Sequence, residues 1–204
     1  MDTQTREKQY QLTPREIKQL LIEGNQRFAS GEMMERDLLE QVKQTSVGQF
    51  PHTIVLGCID SRATTEQIFD QGIGDVFNAR IAGNVVNKDV LGSIEFACKV
   101  AGSKLVLVLG HTKCGAVTSA CNGVKLGHIT HLLGKIDPAI EKVKQKFDDV
   151  TTPAAVNLVS QENVLNSIQE IKEKSPILKG LEENGRIKII GGMYDVETGL
   201  VEFL

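Results

Sequence analysis

Apolar and polar positions follow two rhythms along this chain. Up to about residue 45 the apolar residues recur at helical spacing, and from residue 53 short continuous apolar runs alternate with amphipathic stretches. Thr13-Pro14-Arg15-Glu16 has the form of a capping box with proline at the first helical position, and predicts a helix through about Ala29. Ile17, Leu20, Leu21 and Phe28 form its apolar stripe. A second amphipathic helix is predicted from Met33 to about Thr45. Both precede the first strand, so residues 1–50 read as a helical arm that packs across the domain or onto a second subunit.

Residues 53–58 then read as a strand, followed by a helix near 64–70, a strand at 75–80, a helix at 89–102 and a strand at 104–110. A further helix begins near Cys114, and helical segments continue between about 130 and 183. Arg186-Ile187-Lys188-Ile189-Ile190 reads as a strand, and Asp195-Val196-Glu197-Thr198-Gly199 as a turn into Leu200-Val201-Glu202-Phe203. Apolar strands alternating with helices predict an α/β fold whose parallel sheet is covered by helices on both faces. The expected sheet is mixed: a parallel core of about four strands and an antiparallel C-terminal edge strand. Residues 51–204 form the α/β part of what is expected to be a single domain.

The net charge of −3 leaves no basic surplus to neutralise phosphates, which argues against a nucleic-acid protein. Lys142-Val143-Lys144-Gln145-Lys146 is bounded by Glu141, Asp148 and Asp149 and reads as a solvated helix face. No apolar run is long enough to span a bilayer, and Met1 to Leu12 lacks the apolar stretch of a secretory signal. The expected compartment is therefore the cytoplasm, where the four cysteines would be free or metal-bound. Cys98 and Cys121 read as plain core.

Two short motifs carry the candidate chemistry. Cys58-Ile59-Asp60-Ser61-Arg62 follows one predicted apolar strand, and His111-Thr112-Lys113-Cys114 follows another. Ligands in open α/β sheets bind beyond the carboxyl ends of strands, so the two motifs can meet despite their distance in sequence. Together they offer two thiolates, an imidazole and a carboxylate, a set that suits Zn²⁺. A redox pair of Cys58 with Cys114 is the rival for the cysteines, but it leaves His111, Asp60 and Arg62 without a role. Arg62 has no place in a purely structural zinc site.

Cys-x-Asp-x-Arg followed by His-x-x-Cys resembles the β-class carbonic anhydrases. The likeness also includes Arg80-Ile81-Ala82-Gly83-Asn84, Gly110-His111-Thr112-Lys113-Cys114-Gly115, Glu162-Asn163-Val164, Ser175-Pro176-Ile177-Leu178 and Gly191-Gly192-Met193-Tyr194-Asp195. It implies one zinc ion per subunit on Cys58, His111 and Cys114, with Asp60 as an optional fourth ligand. It implies zinc-bound hydroxide attacking carbon dioxide to give bicarbonate. Asp60, paired with Arg62, would leave the fourth zinc position open and orient the nucleophile. Arginine suits that pairing because its planar fork holds a carboxylate bidentately. Two thiolates cancel the zinc charge, so activity should rise with pH.

The resemblance further implies Gln49 as a donor to a substrate oxygen, in its own or a partner's active site. Gly115 would let backbone approach the substrate, and Phe77, Ala82 and Phe96 would line an apolar pocket. A homodimer or an assembly of dimers is expected. Some bacterial relatives bind inhibitory bicarbonate through a tryptophan, an arginine and a tyrosine. Arg80 and Tyr194 match the last two, but Val55 stands at the tryptophan position, so the open arrangement with Asp60 on Arg62 is expected. The rival activities are hydrolysis of carbonyl sulfide or carbon disulfide on the same fold, and a non-catalytic zinc or thiol sensor.

Overall fold

The computed structural model describes residues 3–204. A short helix α1 (Arg6–Gln11), which the apolar pattern does not mark, precedes α2 (Pro14–Ser30). Thr13 and Glu16 form the reciprocal capping box, and α2 stops at Gly31, whose φ of 76° lies in the left-handed region open to glycine. Of the expected stripe, Ile17 and Leu21 are fully buried, whereas Leu20 is exposed. The next helix, α3 (Leu38–Thr45), starts five residues later than Met33 because Asp37 caps it and the segment before it is held elsewhere. Met34 N–H and the Arg36 guanidinium both donate to the buried Asp70 carboxylate.

The sheet begins with β1 (Thr53–Gly57), followed by α4 (Thr65–Ile68), β2 (Val76–Arg80), a 3-10 turn at Ala82–Asn84 and α5 (Lys88–Glu95). A π-helical turn, Phe96–Val100, continues α5 where one longer α-helix was expected. Then come β3 (Leu105–His111), α6 (Gly115–Cys121), α7 (Gly127–Leu133), α8 (Asp137–Lys144), α9 (Pro153–Lys174) and α10 (Pro176–Glu183). The chain closes with β4 (Lys188–Tyr194) and β5 (Val201–Phe203).

Strand order is β2-β1-β3-β4-β5, with β5 antiparallel to β4 and every other pairing parallel. This is the expected mixed sheet of four parallel strands and an antiparallel edge. Alternation along the strands builds a core on each face. Ile54, Leu56, Val106 and Val108 pack with residues of α5, α9 and α10, while Val55, Leu105, Leu107 and Leu109 pack with Ile17 and Leu21 of α2 and with Phe69. Cys98 is buried in the first core, and its thiol is pushed up to about 12 by that burial, so it is inert. Cys121 is only half-buried, against a third cluster formed by α6, α8 and α9.

The arm packs on its own body through amides as well as apolar contacts. Gln9 Nε2 donates to the Pro51 and Ala101 carbonyls at 2.8 and 2.9 Å, and Asn25 Nδ2 to those of Ile68 and Gly199 at 3.1 and 2.8 Å. Among the described residues no helix is long and apolar enough to cross a membrane.

Candidate metal centre

The order β2-β1-β3 means that the chain leaves β1 in one direction and later returns to its other side. This reversal opens a crevice beyond the carboxyl ends of β1 and β3. Cys58 is the first residue after β1 and His111 the last of β3, so the topology alone brings them together. Lys113, at φ 55°, turns the chain sharply back, and Cys114 takes the N-cap position of α6. Asn157 of α9 accepts from Lys113 N–H at 3.2 Å and braces that turn.

Cys58, His111 and Cys114 are all buried, and their ligand atoms lie within 4.8 Å of one another. The two sulfurs are 4.0 Å apart. The Cys58 thiol is held down near 4, chiefly by its hydrogen bond with Cys114. Cys114 is pushed up by that same contact and then by burial. Its place at a helix start does not offset this. Two thiolates so close need a cation between them if both are to ionise, which is what a divalent metal supplies.

His111 fits the same reading. Its Nδ1 lies 2.9 Å from the Thr112 carbonyl, so the ring donates there and Nε2 keeps its lone pair. Nε2 is buried without a hydrogen-bond partner, a cost that a metal bond removes. The donor chemistry therefore suits a metal ion on these three residues.

Beside the triad, Arg62 grips Asp60 in a fork: Nε to Oδ1 at 2.9 Å and Nη2 to Oδ2 at 2.8 Å, with Arg62 N–H on Oδ1 at 3.0 Å. Arg62 Nη2 also reaches the Lys113 carbonyl at 3.3 Å and so ties the two motifs together. Asp60 Oδ2 lies 3.8 Å from His111 Nε2. The hydrogen bonds from Arg62 hold the Asp60 carboxyl down near 2. Arg80 braces the same segment from β2, with Nε on the Cys58 carbonyl at 2.9 Å and Nη2 on that of Asp60 at 2.6 Å.

A model of the family described as carbonic anhydrase matches residues 53–201. The chain belongs to the β-class carbonic anhydrase family. It is 33% identical over 187 residues to a carbonic anhydrase of Mycolicibacterium smegmatis, covering 89% of each chain. It is 31% identical over 185 residues to carbonic anhydrase 2 of Mycobacterium tuberculosis, covering 88% of this chain and 87% of that one. Among solved structures, the β-carbonic anhydrase CafA of Aspergillus fumigatus superposes with a TM-score of 0.72 at 30% identity, over 81% of each chain.

The remaining residues singled out from this family's pattern fall in different places. Ala82 opens the turn whose Gly83 N–H donates to Cys58 Sγ at 3.3 Å. Gly115 follows Cys114 and has open space on the side where a Cβ would project. Phe77 and Phe96 instead line a separate groove of about 480 Å³ along β2 and α5, with Ile54, Asn78 and Ser93. Gln49 is exposed before the start of β1, whereas Cys58 follows its end. Five strand residues at about 3.3 Å each separate them by roughly 17 Å. Within one chain, Gln49, Phe77 and Phe96 are thus not brought to the cysteine–histidine triad. Arg80 and Asn163, whose side chains brace the site, carry signals in the motifs Arg80–Asn84 and Glu162–Val164, but spacing alone assigns them no function.

Proposed function

We propose that this chain is a zinc-dependent carbonate dehydratase that reversibly hydrates carbon dioxide to bicarbonate and a proton. The observation that carries the reading is the buried Cys58, His111 and Cys114 set beside an Asp60 carboxylate gripped by Arg62. Cys58, His111 and Cys114 would hold the ion. When bound, zinc supplies Lewis acidity that makes hydroxide available near neutral pH.

This chain's own residues set how the reaction is oriented. With its carboxyl held near 2, Asp60 stays ionised at neutral pH, so Oδ2 acts as a hydrogen-bond acceptor that orients the nucleophile and not as a proton carrier. Arg62 keeps that carboxylate from swinging toward the ligands, and its second contact, to Lys113, fixes the distance between the two motifs. A sensor would need neither the fork nor the tie to Lys113. Gly115 leaves room for a small linear substrate against the start of α6.

The Gln49 amide would serve a neighbouring subunit's site, since it lies at the wrong end of its own β1. A homodimer through the β2 side would bring it there. β2 is an edge strand, and Leu38, Leu39 and Val42 of α3, Val47, and Phe96 and Val100 beside the strand are all exposed apolar side chains. A reducing compartment, the cytoplasm, would keep the paired cysteines available as ligands.

Stopped-flow carbon dioxide hydration as a function of pH, with zinc quantified in the same sample, tests the reading. Zinc-dependent hydration that rises with pH is expected, and carbonyl sulfide and carbon disulfide should be poorer substrates in parallel assays. Zinc-loaded protein that hydrates carbon dioxide no faster than buffer would overturn it.

A further inference from the structure

We propose that Asn163 is a positioning residue for the Cys58 thiolate, acting through the backbone on either side of Gly83. The proposal rests on the reading of Cys58 as a metal ligand. Gly83 sits at φ 68° in the turn after β2 and donates its N–H to Cys58 Sγ at 3.3 Å. Its carbonyl accepts from Asn163 Nδ2 at 2.8 Å. One helical turn further along α9, Ser167 Oγ donates to the Asn84 carbonyl at 3.2 Å. Asn163, Ser167, Gly83 and Asn84 are all buried, so none of these bonds competes with water.

The turn has little other freedom. A Cβ on Gly83 would lie 3.0 Å from Ile136 Cδ1 and 3.4 Å from Ala116 Cβ, so packing limits the movement of the backbone on one side. Asn163 holds the other. Without its Nδ2, the Gly83 carbonyl is a buried acceptor with no partner, and the Gly83–Asn84 peptide gains by rotating away from α9. The Ala82–Gly83 peptide, which carries the N–H, hinges on the same Cα, and at a glycine φ and ψ readjust together, so the N–H is drawn off the sulfur. An N–H bond to a thiolate withdraws electron density and orients the lone pairs, so Asn163 reaches the metal ligand without touching it. The role differs from that of Arg80, which holds the Cys58 carbonyl and not the sulfur.

The test uses full-length Asn163→Leu, which keeps the side chain's shape and removes its donor. Asn163→Ser, whose hydroxyl falls short of Gly83, covers the case in which leucine does not fold. Ser160→Ala, which removes another buried hydrogen bond from α9, to the Val156 carbonyl, is the control. Zinc affinity is read by competition with a chromophoric chelator, and the cobalt-substituted proteins are compared by their thiolate-to-metal charge-transfer band. The Asn163 variants should bind zinc about 10- to 100-fold more weakly and shift the band to lower energy. Ser160→Ala should leave both unchanged even where it lowers thermal stability. Unchanged affinity and band in the Asn163 variants, with metal bound normally by the unsubstituted protein, would overturn this proposal alone. An unsubstituted protein that binds neither metal would overturn the metal-site reading, and this proposal with it.

Discussion

Replacing Asp70 by asparagine should cost about 3 kcal/mol of stability, although the residue is no part of the cysteine–histidine triad. Asp70 is fully buried after α4 and joins the arm to the sheet domain. Its carboxylate accepts from Arg27 Nε of α2 at 2.5 Å, from the Arg36 guanidinium, and from Met34 N–H at 3.3 Å. The Arg36 guanidinium is itself largely buried, so the charge it leaves behind cannot simply return to water. Asparagine keeps one acceptor oxygen and turns an N–H toward a guanidinium, which removes one charge-assisted bond and the countercharge together. Such a bond contributes about 1.5–3 kcal/mol, and breaking one side of a buried pair costs about 3–5. The backbone is not at issue: φ at Asp70 is 45°, a conformation asparagine also tolerates. For a chain of this size the expected fall in Tm is about 6–12 °C. It is to be measured by thermal unfolding at fixed protein and zinc concentrations, since ligand and assembly both shift the midpoint. The pH dependence gives a second check. Burial opposes ionisation, but the bonds from Arg27 and Arg36 outweigh it and hold the carboxyl below its usual range. A depressed pKa stabilises above the unfolded value of about 3.9 and loses that contribution as pH falls through the folded value. The gap between wild type and variant should therefore be full at pH 6 and close below about pH 4. A variant within about 2 °C of wild type at pH 6 would refute the reasoning.

Gly24→Ala should be among the most damaging single changes in the arm, because the new Cβ would lie 1.9 Å from the Phe69 carbonyl oxygen. Since a backbone atom cannot swing aside, α2 must shift, at a cost of about 1–3 kcal/mol measurable by urea unfolding; a neutral variant would contradict the described packing. Asp60→Asn should retain bound zinc, measured by metal analysis, yet lower carbon dioxide hydration by about 100-fold. Because the wild-type carboxyl is held near 2 by Arg62, no activity limb between pH 5 and 9 should belong to Asp60, and a limb there that vanishes in Asp60→Asn would count against its role as a fixed acceptor.

What could be read from the sequence, and what could not, divides by the kind of force involved. The sheet core and α2 were legible because apolar burial writes a period into the chain, 2 for strands and 3.6 for helices. Helix α1 buries only Gln9, whose amide reaches two carbonyls, and so leaves no apolar stripe to detect. The late start of α3 depends on Asp70, more than thirty residues away. At the other end, β4 runs on to Tyr194, beyond the expected stop at Ile190, through Gly191 and Gly192. Here glycine is needed for close approach: a Cβ on Gly191 would lie 2.8 Å from Val164 Cγ1 of α9.

The candidate site divides the same way, and the division tells which substitutions should be informative. Metal donors and the carboxylate–guanidinium pair require particular functional groups, so Cys58, His111, Cys114, Asp60 and Arg62 stand out by residue type once two strands are seen to end beside them. The residues that aim those groups have no such requirement at the level of type. Asn163 acts on a carbonyl, Arg80 on two others and Asn157 on an N–H, all of which belong to backbone that any sequence provides. Only the packing of β2 and α9 around the strand ends decides which backbone atoms they meet. Substitution of the donors should therefore abolish metal binding outright. Substitution of the residues that grip the backbone should leave a site of the same composition with graded losses in affinity and orientation. The two classes should separate when metal content is measured alongside activity in the same variants.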